Sequence, residues 1–297
     1  MRGTKQKAYL RNLCLGTLMK TAYIPPIPHL RDFGHGDFHL ILSHLLDDPN
    51  YMEHYKAERA QGAWLLLDNS AHENGEGADA EKLMYQALSM QVQEVVVPDA
   101  LDHADNTLER TIDALECWNE LASEHHLYDL ISKMRFMYVP QGESYERLVY
   151  CLDNLVKAHV YNARQTGYRL DFSIGISKDY EVFEGGLLRF LDEEIKPMHL
   201  AFARNGVDIQ IHMLGWGRDL WALKEISAKH PYLRSTDSAK PFVYALDNIQ
   251  LNSGKPAPPY PTRPENYFYK EMTSPQCQMA NINCSVFTAC AAWSREV

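Results

Sequence analysis

Three aspartates and a glutamine stand where short runs that could be strands give way to polar loops. Asp68 ends Ala63-Trp64-Leu65-Leu66-Leu67, and Asp99 ends Glu94-Val95-Val96-Val97-Pro98. Gln141 follows Arg135-Phe136-Met137-Tyr138-Val139-Pro140, and Asp237 follows Leu233-Arg234-Ser235-Thr236. A carboxylate in a pocket can act as nucleophile, general base or ligand-orienting group. Several carboxylates held close together split their pKa values, so one stays ionised while another keeps a proton. Glycines stand in three neighbouring loops, Gly142, Gly175 and Gly215, where a missing Cβ lets a flat ligand approach the backbone. Aspartate, glutamine and backbone amides together suit a flat heterocycle rich in donors and acceptors, such as guanine. Each position has a plainer reading. Ser235, Thr236, Asp237 and Ser238 suit a helix N-cap, Asp99 after Pro98 suits a turn or cap, and Gln141-Gly142 suits a turn. The case rests on all four polar groups meeting at one edge of one fold.

The elements that must position them follow from periodicity. The first strand is expected in the second half of Leu10–Met19, and Tyr23–His29, with three prolines, is expected as a loop. Further strands are expected at 38–44, 63–68, 94–99, 135–139, 169–174, 208–213 and 233–236. Helical spacing covers about 49–61, 78–90, 106–124, 145–163, 180–192, 196–205 and 220–229. Eight strands mostly separated by helices, about 25–40 residues apart, predict a (β/α)8 TIM barrel, whose loops at the carboxyl ends of the strands build the active site. An open doubly wound sheet is the alternative, but no G-x-G-x-x-G opens any of these helices. After Asp247 the pattern fades. Residues 251–297 are expected as a Pro-rich linker and a short irregular tail packed on a barrel domain of residues 1–250.

Composition narrows the class. The chain has 297 residues, 45% hydrophobic and 23% charged, ample for a large core. It contains no apolar run long enough to span a membrane, and the basic start lacks the apolar stretch of a signal peptide. Six cysteines scattered over this length read as reduced thiols of a cytoplasmic protein rather than a disulfide framework. A formal net charge of −10 argues mildly against a nonspecific nucleic-acid binder, although a local basic groove remains compatible with it.

The order of these segments resembles the tRNA-guanine transglycosylase superfamily, TIM barrels that exchange guanine for a 7-deazaguanine base in RNA. Leu66-Leu67-Asp68-Asn69-Ser70 is similar to the family segment whose aspartate is a general acid/base. Val97-Pro98-Asp99 and Val139-Pro140-Gln141-Gly142 are similar to the segments whose aspartate and glutamine bind the base edge. Ile174-Gly175-Ile176-Ser177 resembles a segment whose backbone contacts the base. His212-Met213-Leu214-Gly215-Trp216-Gly217 resembles one whose apolar residue packs on the base plane. Asp237 falls at the nucleophile position. The resemblance covers roughly residues 10–250.

It implies Asp237 as nucleophile and Asp68 as acid/base. Asp99, Gln141, Gly142, Gly175 and Gly215 would serve as base contacts, and Leu214 and His72 would cover the base faces. His72 replaces the family's stacking aromatic. Lys178 stands near where some members carry a glutamate that reads the base substituent. Lys178, Arg218, Arg234 and Lys240 are candidate phosphate contacts, with solvated surface charge as the plainer reading. The family's zinc site has closely spaced cysteines and a downstream histidine. Cys277, Cys284 and Cys290 are spaced too widely for it, and no histidine follows His230, so no cofactor is expected and three buried thiols are the favoured reading, with zinc the weaker alternative. The short chain without an added RNA-binding domain is most similar to the DpdA-type transglycosylases, which insert 7-deazaguanines such as preQ0 into DNA. The expected partners are therefore DNA and a 7-deazaguanine base. The alternatives are a tRNA-directed exchanger, a barrel N-glycoside hydrolase using Asp68 and Asp237, and a non-catalytic binding subunit.

Overall fold

The structure, a computed structural model, describes residues 18–216, 220–252 and 261–293. Its eight strands are β1 (Lys20–Tyr23), β2 (Phe38–Leu42), β3 (Trp64–Asp68), β4 (Glu94–Val96), β5 (Arg135–Tyr138), β6 (Phe172–Ser177), β7 (Ile209–Leu214) and β8 (Leu233–Ser238). They form one sheet in the order β1-β8-β7-β6-β5-β4-β3-β2, a nearly closed parallel (β/α)8 barrel. Strands of such a barrel are covered on both faces, so they read as apolar runs rather than alternating ones. Leu65, Leu66 and Leu67 and Val95, Val96 and Val97 are all buried accordingly.

The principal helices are α1 (Pro49–Ala60), α2 (Ala80–Ser89), α3 (Ala104–Glu124), α4 (Tyr145–Thr166), α5 (Gly186–Phe190), α6 (Lys196–Arg204), α7 (Leu220–Lys229), α8 (Lys240–Leu246) and α9 (Ser274–Ala291). Side-chain caps fix several starts. Asp48 accepts from the Asn50 and Tyr51 amides, Asp79 from Lys82 N and Ser144 from Arg147 N. Gly167, at φ 76°, closes α4 in the left-handed conformation. A π-helical turn (Leu191–Ile195) joins α5 to α6, where two separate helices were expected. Pro197, in the first turn of α6, cannot donate to the preceding turn, and the ladder widens there.

The chain divides into two compact units, one holding residues up to His39 together with those from Ile211 onward, the other Leu40–Gln210. In the first, Phe33, Phe242, Val243, Tyr267, Met272 and Ala280 form a buried cluster. In the second, Trp118 packs on Phe136 (ring centroids 4.9 Å apart) and His159 on Phe172 (4.7 Å). A partly buried ion pair, Arg135 Nη2 to Asp208 Oδ2 at 2.7 Å, lies in the same unit.

Three boundaries differ from expectation. β1 lies at Lys20–Tyr23, later than the second half of Leu10–Met19, because the prolines restrict the chain only from Ile24 onward. (Residues 1–17 fall outside the described ones.) β6 runs through Gly175 to Ser177. β8 extends to Ser238, so Asp237 lies within the strand instead of beyond it or at a helix cap. The tail is also not aperiodic. α9 carries a capping box between Thr273 and Gln276 and buries Ala280, Asn283, Phe287, Cys290 and Ala291, a helical stripe of mostly small residues around one phenylalanine. It packs on α8, α7 and β1. Asn283 Nδ2 donates to the Pro241 and Ile249 carbonyls, and its Oδ1 accepts from Leu251 N at 2.7 Å. Among the described residues, no helix is long and apolar enough to cross a membrane.

Candidate functional site

Two polar clusters stand at strand ends, one in each compact unit. In the first unit, Asp237 is buried on β8. Its Oδ1 lies 3.0 Å from His212 Nε2 and accepts from Gly215 N at 2.9 Å. Its own carbonyl accepts from Trp216 N, and Ser238 Oγ donates to the Trp216 carbonyl at 2.6 Å. The loop after β7 is thus fastened to the end of β8. Gly215 has φ 61°, a conformation that suits glycine, and this turn aims its amide at the carboxylate. Its N–H is therefore committed to Asp237 rather than to a base.

In the second unit, Asp99 is buried and accepts from two amide side chains. Asn69 Nδ2 donates to Oδ1 at 2.8 Å and Gln141 Nε2 to Oδ2 at 2.6 Å. Both amides are oriented by backbone. Ala71 N donates to Asn69 Oδ1 at 2.9 Å, and Asp102 N to Gln141 Oε1 at 3.3 Å. Each side chain therefore must present its NH2 to the carboxylate. Burial pushes the Asp99 carboxyl above its ordinary value, with the Asn69 and Gln141 bonds pulling the other way. Asp68, half-buried at the end of β3, accepts from Ser70 N at 3.0 Å. Ser70 has φ 59°, a strained value for a residue with a side chain. Its hydroxyl is gripped by Ser43 Oγ at 3.0 Å and His44 Nδ1 at 2.9 Å.

Asp99 is therefore in direct contact with Gln141, and Asp237 with Gly215, whereas the resemblance implies Asp99, Gln141 and Gly215 as base contacts. Gly142 and Lys240 depart from expectation. Gly142 faces no open space: a Cβ there would lie 2.4 Å from Leu148 N and 2.8 Å from Arg147 C, so its glycine serves close approach of α4. Gly175 is enclosed within β6. Leu214 ends β7, half-exposed. His72 is exposed on a single helical turn, Ala71–Asn74. Lys240 is 5% exposed beside the Tyr244 ring, which removes it as a phosphate contact. Arg234 is half-buried, with Nε donating to Ser235 Oγ at 3.0 Å and its guanidinium 5.2 Å from the Phe38 ring centroid. Its role is internal. Lys178 is half-buried just past β6, and Arg218 lies outside the described residues.

The cysteines do not fit a zinc site. Cys277, Cys284 and Cys290 lie on α9, and six or seven residues along a helix separate them by about 10 Å, against Zn–S bonds of about 2.3 Å. The sulfur of Cys277 lies 3.8 Å from His29 Nδ1. Burial raises the Cys284 thiol to about 12, and Cys290 is buried.

Asn69 and His212 were not singled out from sequence. Asn69 adjoins Asp68 and reads as loop polarity. The signal for His212 is an imidazole inside an otherwise apolar strand, Ile209–Leu214, where the covered interior tolerates a polar group only if it is bonded. No family model and no curated protein matches this chain.

Proposed function

We propose that this protein is a base-exchange transglycosylase that replaces guanine in DNA with a 7-deazaguanine such as preQ0. The observation that carries the reading is Asp237, a buried carboxylate at the end of the last barrel strand with two nitrogens closing on one oxygen. Asp68 ends β3, Asp99 and Gln141 follow β4 and β5, and Asp237 is the second-to-last residue of β8, and the carboxyl ends of the strands are where barrels of this type carry their chemistry.

In the reaction, Asp237 attacks C1′, the C1′–N9 bond breaks, and its electron pair leaves with guanine. Asp68 supplies a proton to the departing base and removes one from the incoming base, whose N9 then displaces Asp237. The covalent glycosyl–aspartate splits one difficult substitution into two easier ones. Asp99, preset by Asn69 and Gln141, provides acceptor oxygens with further lone pairs for the donor edge of the base. The target nucleotide leaves the helical stack to reach these groups.

The test is incubation with labelled guanine or preQ0, with duplex DNA and tRNA in parallel. Label entering DNA supports the proposal. Label entering tRNA alone keeps the mechanism and transfers it to RNA. Free guanine released without incorporation favours N-glycoside hydrolysis. No label and no release overturns the reading.

A further inference from the structure

His212 touches Asp237, and what lies behind it decides what it can do. β7 and β8 pair through Ile211 with Leu233 and then His212 with Ser235, so β8 carries one extra residue, Arg234, at that step. This bulge breaks the alternation of side chains and lets Arg234 Nε reach the hydroxyl of its own neighbour, Ser235, at 3.0 Å. Ser235 Oγ lies 2.8 Å from His212 Nδ1, and His212 Nε2 lies 3.0 Å from Asp237 Oδ1. Ser235 and His212 are both 0% exposed. The Phe38 ring covers the imidazole at a centroid distance of 5.8 Å.

The donors and acceptors order this chain. The Arg234 guanidinium only donates, so Ser235 Oγ accepts from it. Among the described contacts of Ser235, the acceptor left for its hydroxyl proton is His212 Nδ1. Nε2 then carries the imidazole proton and donates it to Asp237 Oδ1, which also takes the Gly215 amide. In this arrangement Ser235 Oγ, both imidazole nitrogens and Asp237 Oδ1 are all paired.

We infer that His212 is a positioning residue, locked as the Nε2–H tautomer by Arg234 and Ser235. It anchors Oδ1 of Asp237 so that Oδ2 is the attacking oxygen. The part about attack rests on the proposed reading of Asp237 as nucleophile; the tautomer does not. Two experiments separate them.

Long-range 1H–15N spectra of histidine-labelled protein, with His212 assigned from a His212→Gln sample, report the tautomer without any substrate. The expected result is a neutral Nε2–H imidazole whose signals move in Ser235→Ala and in Asp237→Ala. A Nδ1–H or doubly protonated ring, or signals indifferent to both substitutions, overturns the inference.

The second experiment follows adduct formation on DNA. His212→Leu is expected to lower its rate constant about 10–100-fold, the worth of a hydrogen bond to a charged acceptor, with half-saturation by DNA changed less than twofold. His212→Gln, which keeps an N–H near the Nε2 position, is expected to restore the rate to within about fivefold. Equal rates in wild type and His212→Leu overturn the positioning role. Absence of adduct in the wild type, with the tautomer as expected, overturns the nucleophile reading and leaves the hydrogen-bond chain standing.

Discussion

Gly142 distinguishes a glycine that admits a ligand from one that admits a helix. An alanine Cβ would meet Leu148 N at 2.4 Å, Arg147 C at 2.8 Å and Leu148 Cα at 2.9 Å. Ordinary carbon contacts begin near 3.5 Å, so α4 or the loop must retreat by about 1 Å. The obstacle is backbone, which cannot rotate aside. Forced overpacking costs about 1–3 kcal/mol. Gln141, the preceding residue, holds Asp99 at 2.6 Å. A 1 Å shift stretches that bond beyond hydrogen-bonding range and adds the loss of a bond to a buried carboxyl group, about 1–3 kcal/mol. Gly142→Ala is therefore expected to lose about 2–6 kcal/mol in urea unfolding. The control is Gly36→Ala, whose new Cβ would make nothing closer than 3.6 Å and should change stability by less than about 0.5 kcal/mol. Equal midpoints for Gly142→Ala and wild type would refute the packing argument and return Gly142 to the ligand.

Two further outcomes follow from buried polar groups. His159 lies between Tyr138, whose hydroxyl is 2.9 Å from Nδ1, and the Leu170 carbonyl, 3.2 Å from Nε2, and burial lowers its pKa from 6.5 to about 4. The unfolded chain takes up this proton first, so stability present above pH 6.5 falls as pH drops towards 4, by about 3 kcal/mol at that pH. Chemical unfolding from pH 7 to 4 should show a gentler loss in His159→Gln, and parallel curves would refute the assignment. Asn283→Ala removes three bonds to backbone groups and should cost about 2–4 kcal/mol in the same assay. A change below about 0.5 kcal/mol would mean α9 is not fastened through Asn283.

The barrel was legible because parallel strands covered on both faces leave unbroken apolar runs, as in Leu65–Leu67 and Val95–Val97. Their ends were less legible. Ser235, Thr236 and Ser238 are polar, yet they are buried in β8, because side-chain bonds to the Met213 and Trp216 carbonyls satisfy two of them. α9 escaped notice because its buried stripe is alanine, asparagine and cysteine, with Phe287 as the one large apolar side chain. Lys240 read as a phosphate contact or a solvated charge, but it opens α8 and is buried there. His212 and Asn69 could be valued only once their partners, Asp237 and Asp99, were located across neighbouring strands. The bulge that brings Arg234 beside Ser235 is a matter of strand register, which side-chain periodicity does not report.

The central claim is that Asp237 forms a covalent bond to the sugar. Intact-protein mass spectrometry after incubation with duplex DNA containing guanine, without any incoming base, tests it most directly, followed by mapping of the modified peptide. A DNA adduct on the peptide bearing Asp237, absent in Asp237→Asn, is the expected result. An adduct that persists in Asp237→Asn, or base exchange by that variant at the wild-type rate, would contradict the account.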